Sequence, residues 1–185
     1  QAETFRQEDK STYQMNLPWP ELTAYRKTST KDTAQLDIVG MNGVPSMFVL
    51  RCEHNGKLEY QNVAHPQIIK IDMWLDKQKV LFFERCNVRD MVKITRRNSH
   101  PRCRFNESFQ EIPLLIFRQE DIGLLNLDRT YPERLGKDFQ LRVVIETDQD
   151  PDANGLVQEY EFSLTLIHEN RTLKGDVRRL EYVPV

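Results

Sequence analysis

The residues best spaced for chemistry are acidic. Asp150, Asp152 and Asn154, then Gly155, then Glu161 at the twelfth position, fit a calcium-loop pattern in which side-chain oxygens surround a hard cation and the glycine permits a sharp turn. Such a loop requires an amphipathic helix on each side. Here both flanks alternate with a period of two, so Glu161 falls within a strand and points away from the face carrying Tyr160 and Phe162. Asp, Asn, Pro and Gly are also the usual formers of a solvated turn, and the flanks favour that reading.

A second feature is a separation of charge. Between Arg85 and Arg104 the basic residues are Arg85, Arg89, Lys93, Arg96, Arg97, Arg102 and Arg104, opposed only by Asp90. From Arg118 to Glu161 acidic residues outnumber basic ones by about two to one. The basic stretch suits contact with phosphates, with an acidic surface of a neighbouring subunit or with another polyanion; the plainer alternative is a solvated helix face whose charges pair locally. It carries no aromatic interleaving of the kind that stacks on single-stranded bases.

Nucleophilic and metal chemistry find little support. His54, His65, His100 and His168 lie beside turn-like residues or at strand ends, and none sits in an H-x-x-x-H or H-E-x-x-H arrangement. Cys52, Cys86 and Cys103 are odd in number and form no C-x-x-C pair, as expected of free thiols in a reducing compartment; one disulfide with a spare thiol is the alternative for a secreted chain. Cys103 and His100 are a weak candidate dyad, since such pairs are recognised in space and not by proximity in sequence. No Gly-rich phosphate loop occurs. The expectation is a non-enzyme with no catalytic residue, metal site or cofactor.

The bulk properties agree. A formal charge of −2 over 185 residues excludes a surface that is basic throughout, so any nucleic-acid contact must be local. A chain of this length buries roughly two thirds of its unfolded surface and needs no staple. Its longest apolar runs, such as Pro113 to Phe117, are too short to cross a bilayer, and no membrane association is expected. The first residue is Gln1, which suggests a processed chain or part of a longer one. The sequons Asn106-Glu107-Ser108 and Asn170-Arg171-Thr172 matter only in a secretory pathway.

The elements that would position these residues are mostly strands. Phe139, Leu141, Val143 and Ile145 form one alternating row and Tyr160, Phe162, Leu164 and Leu166 another, and the turn formers between them predict a long hairpin. Further strands are expected at Gln35 to Val39, Ser46 to Cys52, Ile68 to Leu75, Lys79 to Phe83, Ile112 to Phe117 and Val177 to Val183. Ile69, Ile71 and Met73 alternate with Lys70 and Asp72, and Asp76-Lys77-Gln78 turns this run back in a second hairpin. Helix is scarce: Asn87 is an N-cap, with Asp90 at the third position, for a short helix bearing Val88, Met91 and Val92, and a second turn covers Gln119 to Leu125. The fold class is therefore all-β, an antiparallel sandwich with one or two short helices in loops. Residues 1–34 read as an N-terminal arm or edge strand, with Pro18 and Pro20 around Trp19, followed by a flexible loop over Arg26 to Thr33; residues 35–185 read as the sandwich.

Several segments, in order, resemble the jelly rolls of double-jelly-roll viral major capsid proteins, the group of nucleocytoplasmic large DNA viruses, virophages and Polinton-like elements. Val39-Gly40-Met41-Asn42-Gly43-Val44-Pro45-Ser46-Met47-Phe48-Val49 leads a Gly/Pro turn into an apolar strand. Val88 to Asn98 is a short basic helix between strands. Ile116 to Leu124 is a strand running into an acidic turn, and Leu164 to Val177 resembles the last strands of a roll. The family carries two consecutive rolls, and this chain has strands for one.

The resemblance implies a virion structural protein, assembled in host cytoplasm or nucleus, whose partners are copies of itself in trimeric capsomers and other capsid proteins. It also implies sheets ordered B-I-D-G and C-H-E-F. Contact residues would then be Trp19, on a docking arm or as a cover of its own core, and Arg89, Arg96 and Arg97. Arg96 and Arg97 would face Asp150 and Asp152 of another subunit. The competing reading is a secreted or periplasmic β-sandwich binding module, calcium-dependent through the Asp150 to Glu161 turn. A hydrolase with a Cys/His site ranks third.

Overall fold

The computed structural model describes residues 14–54, 65–99, 114–124, 138–176 and 181–183. Among them the elements are β1 (Gln14–Ser29), β2 (Thr33–Asn42), β3 (Met47–His54), β4 (Ile68–Leu75), β5 (Gln78–Lys79), a 3-10 turn (Leu81–Glu84), α1 (Val88–Asn98), β6 (Leu114–Arg118), β7 (Asp138–Thr147), β8 (Tyr160–Asp176) and β9 (Glu181–Val183). The chain divides into two compact units. In Gln1–Glu21 with His168–Val185, β9 pairs antiparallel with the end of β8 through Lys174 and Val183, Gly175 and Tyr182, and Asp176 and Glu181. Leu22–Ile167 contains the sandwich.

One sheet runs β1-β8-β3-β6 and the other β2-β7-β4-β5. With β1 to β8 lettered B to I, these orders are B-I-D-G and C-H-E-F, which is the jelly-roll connectivity. The fold is thus an antiparallel β-sandwich of jelly-roll type. Both inner faces feed a single core. Phe48, Leu50, Tyr160, Phe162, Leu164, Leu166 and Phe117 come from the first sheet, and Leu36, Ile38, Ile71, Met73, Leu141, Val143 and Ile145 from the second. Each such side chain contributes about 1.5–3 kcal/mol by leaving water.

Alternation located the strands but misassigned one partnership. β7 and β8 do not form a hairpin: β7 lies between β2 and β4, and β8 between β1 and β3, in opposite sheets. Both strands have one buried row, and two such rows pack equally well facing each other across a core. The segment between them crosses the end of the sandwich and is tied there. Thr147 N–H donates to Asp32 O at 2.8 Å, Asp148 N–H to Gln67 O at 3.0 Å, and Val157 N–H to Thr30 O at 2.8 Å.

Three smaller differences have local causes. A bulge at the start of β4 opposes Ile68 to Thr147 and Lys70 to Glu146, so Ile68 is buried and Ile69 is 38% exposed. The strand expected over Lys79 to Phe83 ends at Lys79 and continues as the 3-10 turn. Val80 and Phe83, three residues apart, are buried while Leu81 is exposed. Arg26 to Thr33 is strand as far as Ser29 and bends only over residues 30–32, with Ser29 Oγ donating to Thr33 O at 2.9 Å. The β4–β5 hairpin forms as the sequence predicts, pairing Leu75 with Gln78 and Trp74 with Lys79 around Asp76, whose φ is 53°.

Candidate functional site

Helix α1 begins where the sequence places it. Asn87 Oδ1 accepts the Asp90 N–H at 2.9 Å and Asp90 Oδ2 accepts the Asn87 N–H at 3.4 Å, a reciprocal cap. Met91 and Thr95 are buried beneath the helix. Thr95 Oγ1 accepts the Ile116 N–H at 3.0 Å and Asn98 Nδ2 donates to Ile116 O at 3.2 Å. Those are main-chain groups of β6, an edge strand, so the helix satisfies the edge that would otherwise template another strand.

The acidic groups around α1 are engaged within the chain. Asp121, with a side chain only 5% exposed, pairs with Arg97 and accepts from Asn98 Nδ2 at 2.6 Å and from the Arg118 N–H at 2.9 Å. Glu84 lies 3.1 Å from Lys79, and Asp90 caps the helix. Arg89, Lys93 and Arg96, spaced by four and three residues, form one exposed stripe, and Arg85 precedes the helix. Among the described residues, none of these four cations has an acidic partner.

The acidic loop is built by its own side chains. Asp152 Oδ1 accepts the N–H groups of Asn154 and Leu156 at 2.8 and 2.9 Å, and Gly155, at φ 74°, donates its N–H to Asp152 O at 2.9 Å. Asp148 Oδ1 accepts the Gln67 N–H at 2.8 Å. Residues 150–156 are all exposed, including Leu156 at 45%. Glu161 stands in β8 opposite Glu53, 3.8 Å from Arg26, between the buried Tyr160 and Phe162. One oxygen of the third residue of the calcium pattern thus holds the turn, and the twelfth residue belongs to a strand. Among the described residues no group of three or more His, Cys, Asp or Glu side chains is placed to hold a metal.

A cleft of about 370 Å³ on the outer face of the second sheet has no counterpart in the sequence reading. Register places Asp37, Arg142 and Trp74 in one row across β2, β7 and β4. Arg142 Nε donates to Asp37 Oδ1 at 2.6 Å, and Gln35 Nε2 donates to Asp37 Oδ2 at 2.6 Å. The Arg142 bond, with the Gln35 bond behind it, holds the Asp37 carboxyl below its ordinary value. Lys77, Gln140 and Val39 also line the cleft, Val39 pushed out at 73% exposure by a bulge in β2. Only the long-range register brings these residues together, and no local spacing announces it.

The thiols and imidazoles form no reactive pair among the described residues. Cys52 is fully buried, and burial, with Asp148 adding to it, pushes its thiol far above the ordinary range. Burial raises the Cys86 thiol too, Asp90 adding to it. His54 N–H donates to His65 Nδ1 at 3.3 Å, and the two rings stack at 6.2 Å. Cys103, His100 and the sequon at Asn106 lie outside the described residues, as do the side chains of Trp19 and Asn170.

Of the residues singled out for contact, Arg89 and Arg96 share the stripe, Arg97 turns to Asp121, and Asp150 and Asp152 share the exposed loop. Among the described residues no ion pair joins Arg89 or Arg96 to Asp150 or Asp152 within one chain.

No protein-family model matches the chain, and no curated protein does. Among solved structures the chain is similar to the crystal structure of mavirus major capsid protein, with a TM-score of 0.54 and 15% identity over 91% of this chain. The match spans 42% of the length of that protein. At that identity the likeness is one of fold alone, an antiparallel jelly-roll sandwich.

Proposed function

We propose that this chain is a capsid structural protein, one jelly roll of a major capsid protein of the double-jelly-roll group, working by self-association into trimeric capsomers within a virion. The observation that carries the reading is the strand order β1-β8-β3-β6 and β2-β7-β4-β5, with the likeness to mavirus major capsid protein in its support. The fold suits this role because a roll closed by a helix on one edge presents rigid loops and faces whose contacts can repeat by symmetry. Catalysis has no part in it. The buried Cys52 thiol and the locally engaged histidine His54 are accounted for by packing.

Size-exclusion chromatography with light scattering tests the proposal. A species of three times the 21.9 kDa chain mass, or larger closed shells by electron microscopy, is the expected result. A chain that stays monomeric at every concentration, and whose melting temperature rises with a small ligand, would instead identify a binding module.

A further inference from the structure

We propose that a second copy of this chain seats its 148–156 loop on the Arg89–Lys93–Arg96 stripe of α1. This rests on the self-associating reading above and names the contact that would make it. The two surfaces are complementary in sign. From Arg85 to Arg97 the chain has five basic residues against Asp90, and from Asp148 to Tyr160 it has Asp148, Asp150, Asp152 and Glu159 with no basic residue. Among the described residues the carboxylates around α1, Asp90, Glu84 and Asp121, are already engaged with Asn87, Lys79 and Arg97. The stripe therefore presents its charge outward.

The loop is ordered before it meets anything. Asp152 holds the N–H groups of Asn154 and Leu156, and Val157 N–H holds Thr30 O, so little ordering entropy is lost on docking. Leu156 adds an exposed apolar contact for the aliphatic stems of Lys93 and Arg96. The stripe extends about 10 Å along the helix, long enough to receive a tip of several residues. A single-stranded nucleic acid fits the same stripe less well, since α1 carries no aromatic residue to stack on its bases and the whole chain has a formal charge of −2.

Helix and loop are different surfaces, so the contact repeats head to tail when the loop of each copy sits on the helix of the next. Such contacts close rings when the rotation between copies permits.

This geometry revises the pairing drawn from sequence. Arg97 drops out because Asp121 holds it, and Lys93 enters because its spacing puts it between Arg89 and Arg96.

The test uses the full chain in light scattering at low and high salt. It compares wild type, Arg89→Glu with Arg96→Glu, Asp150→Lys, and all three changes combined. Asp152 is left alone because it builds the loop. Each reversal should raise the dissociation concentration of the oligomer by about tenfold or more at low salt, and the combined variant should regain most of the loss. Circular dichroism melting should match wild type throughout, since Arg89, Arg96 and Asp150 are exposed. Oligomers indifferent to both reversals would overturn this contact and leave the capsid reading standing. A monomeric wild type would overturn the capsid reading and the contact with it. Unchanged assembly together with lost binding of a single-stranded oligonucleotide by the Arg variant would reassign the stripe to a polyanion.

Discussion

Asp37 and Asp121 show how differently two carboxylates can serve one fold. The Asp121 side chain is only 5% exposed and ties three partners from α1 and β6, Arg97, Asn98 and the Arg118 amide, so it acts as a structural joint. Asp37 stands on an open face, and its side chain is 48% exposed beside Arg142. Its lowered pKa stabilises the fold above the ordinary carboxylate value of 3.8, and that stability is lost as pH falls through the folded value. The contribution is small because solvent screens the pair. A carboxyl NMR titration should place the Asp37 midpoint below 3.8, and in Arg142→Gln it should move up toward that value. An unmoved midpoint in the variant would show that Arg142 is not the main cause.

At the scale of elements, α1 protects an edge and displays charge at once. Its inner side supplies Thr95 Oγ1 and Asn98 Nδ2 to Ile116, and its outer side carries the stripe. Thr95→Val removes the acceptor of the Ile116 N–H while keeping the shape, and should cost about 1–3 kcal/mol in urea unfolding. Hydrogen exchange at Ile116 should accelerate in the same variant, whereas Thr95→Ser should retain protection. A Val variant as stable as wild type would mean that water replaces the hydroxyl at no cost. The helix was legible in sequence because caps are local: Asn87 and Asp90 lie three residues apart. The 3-10 turn was not, because Val80, Leu81, Phe82 and Phe83 read as a strand until packing chooses which two are buried.

For the whole molecule, stability resides where the two sheets meet. Leu164 is fully buried on β8 opposite Leu50 on β3, and Leu164→Ala should cost about 2–5 kcal/mol. Leu156→Ala, on the exposed loop, should stay within about 0.5 kcal/mol of wild type, so comparing their urea midpoints separates core from surface. Equal losses would place Leu156 in a packed environment. A core variant should also lose any oligomer together with its fold, while the charge reversals on α1 and the loop should affect assembly alone.

What the amino-acid order determined by itself was local: which runs alternate, which face of each is apolar, where the helix starts and where charge collects. Periods of two and caps three residues apart are written in neighbouring residues, so Leu141, Val143 and Ile145 announce a buried row without reference to anything distant. Partnership is long-range, and only the tertiary structure decided it. It put β7 and β8 in facing sheets, set Asp37, Arg142 and Trp74 side by side, and gave Arg97 to Asp121. The physical reason is that an apolar row reports burial but not what buries it. A cation, likewise, takes whichever carboxylate the fold brings within reach.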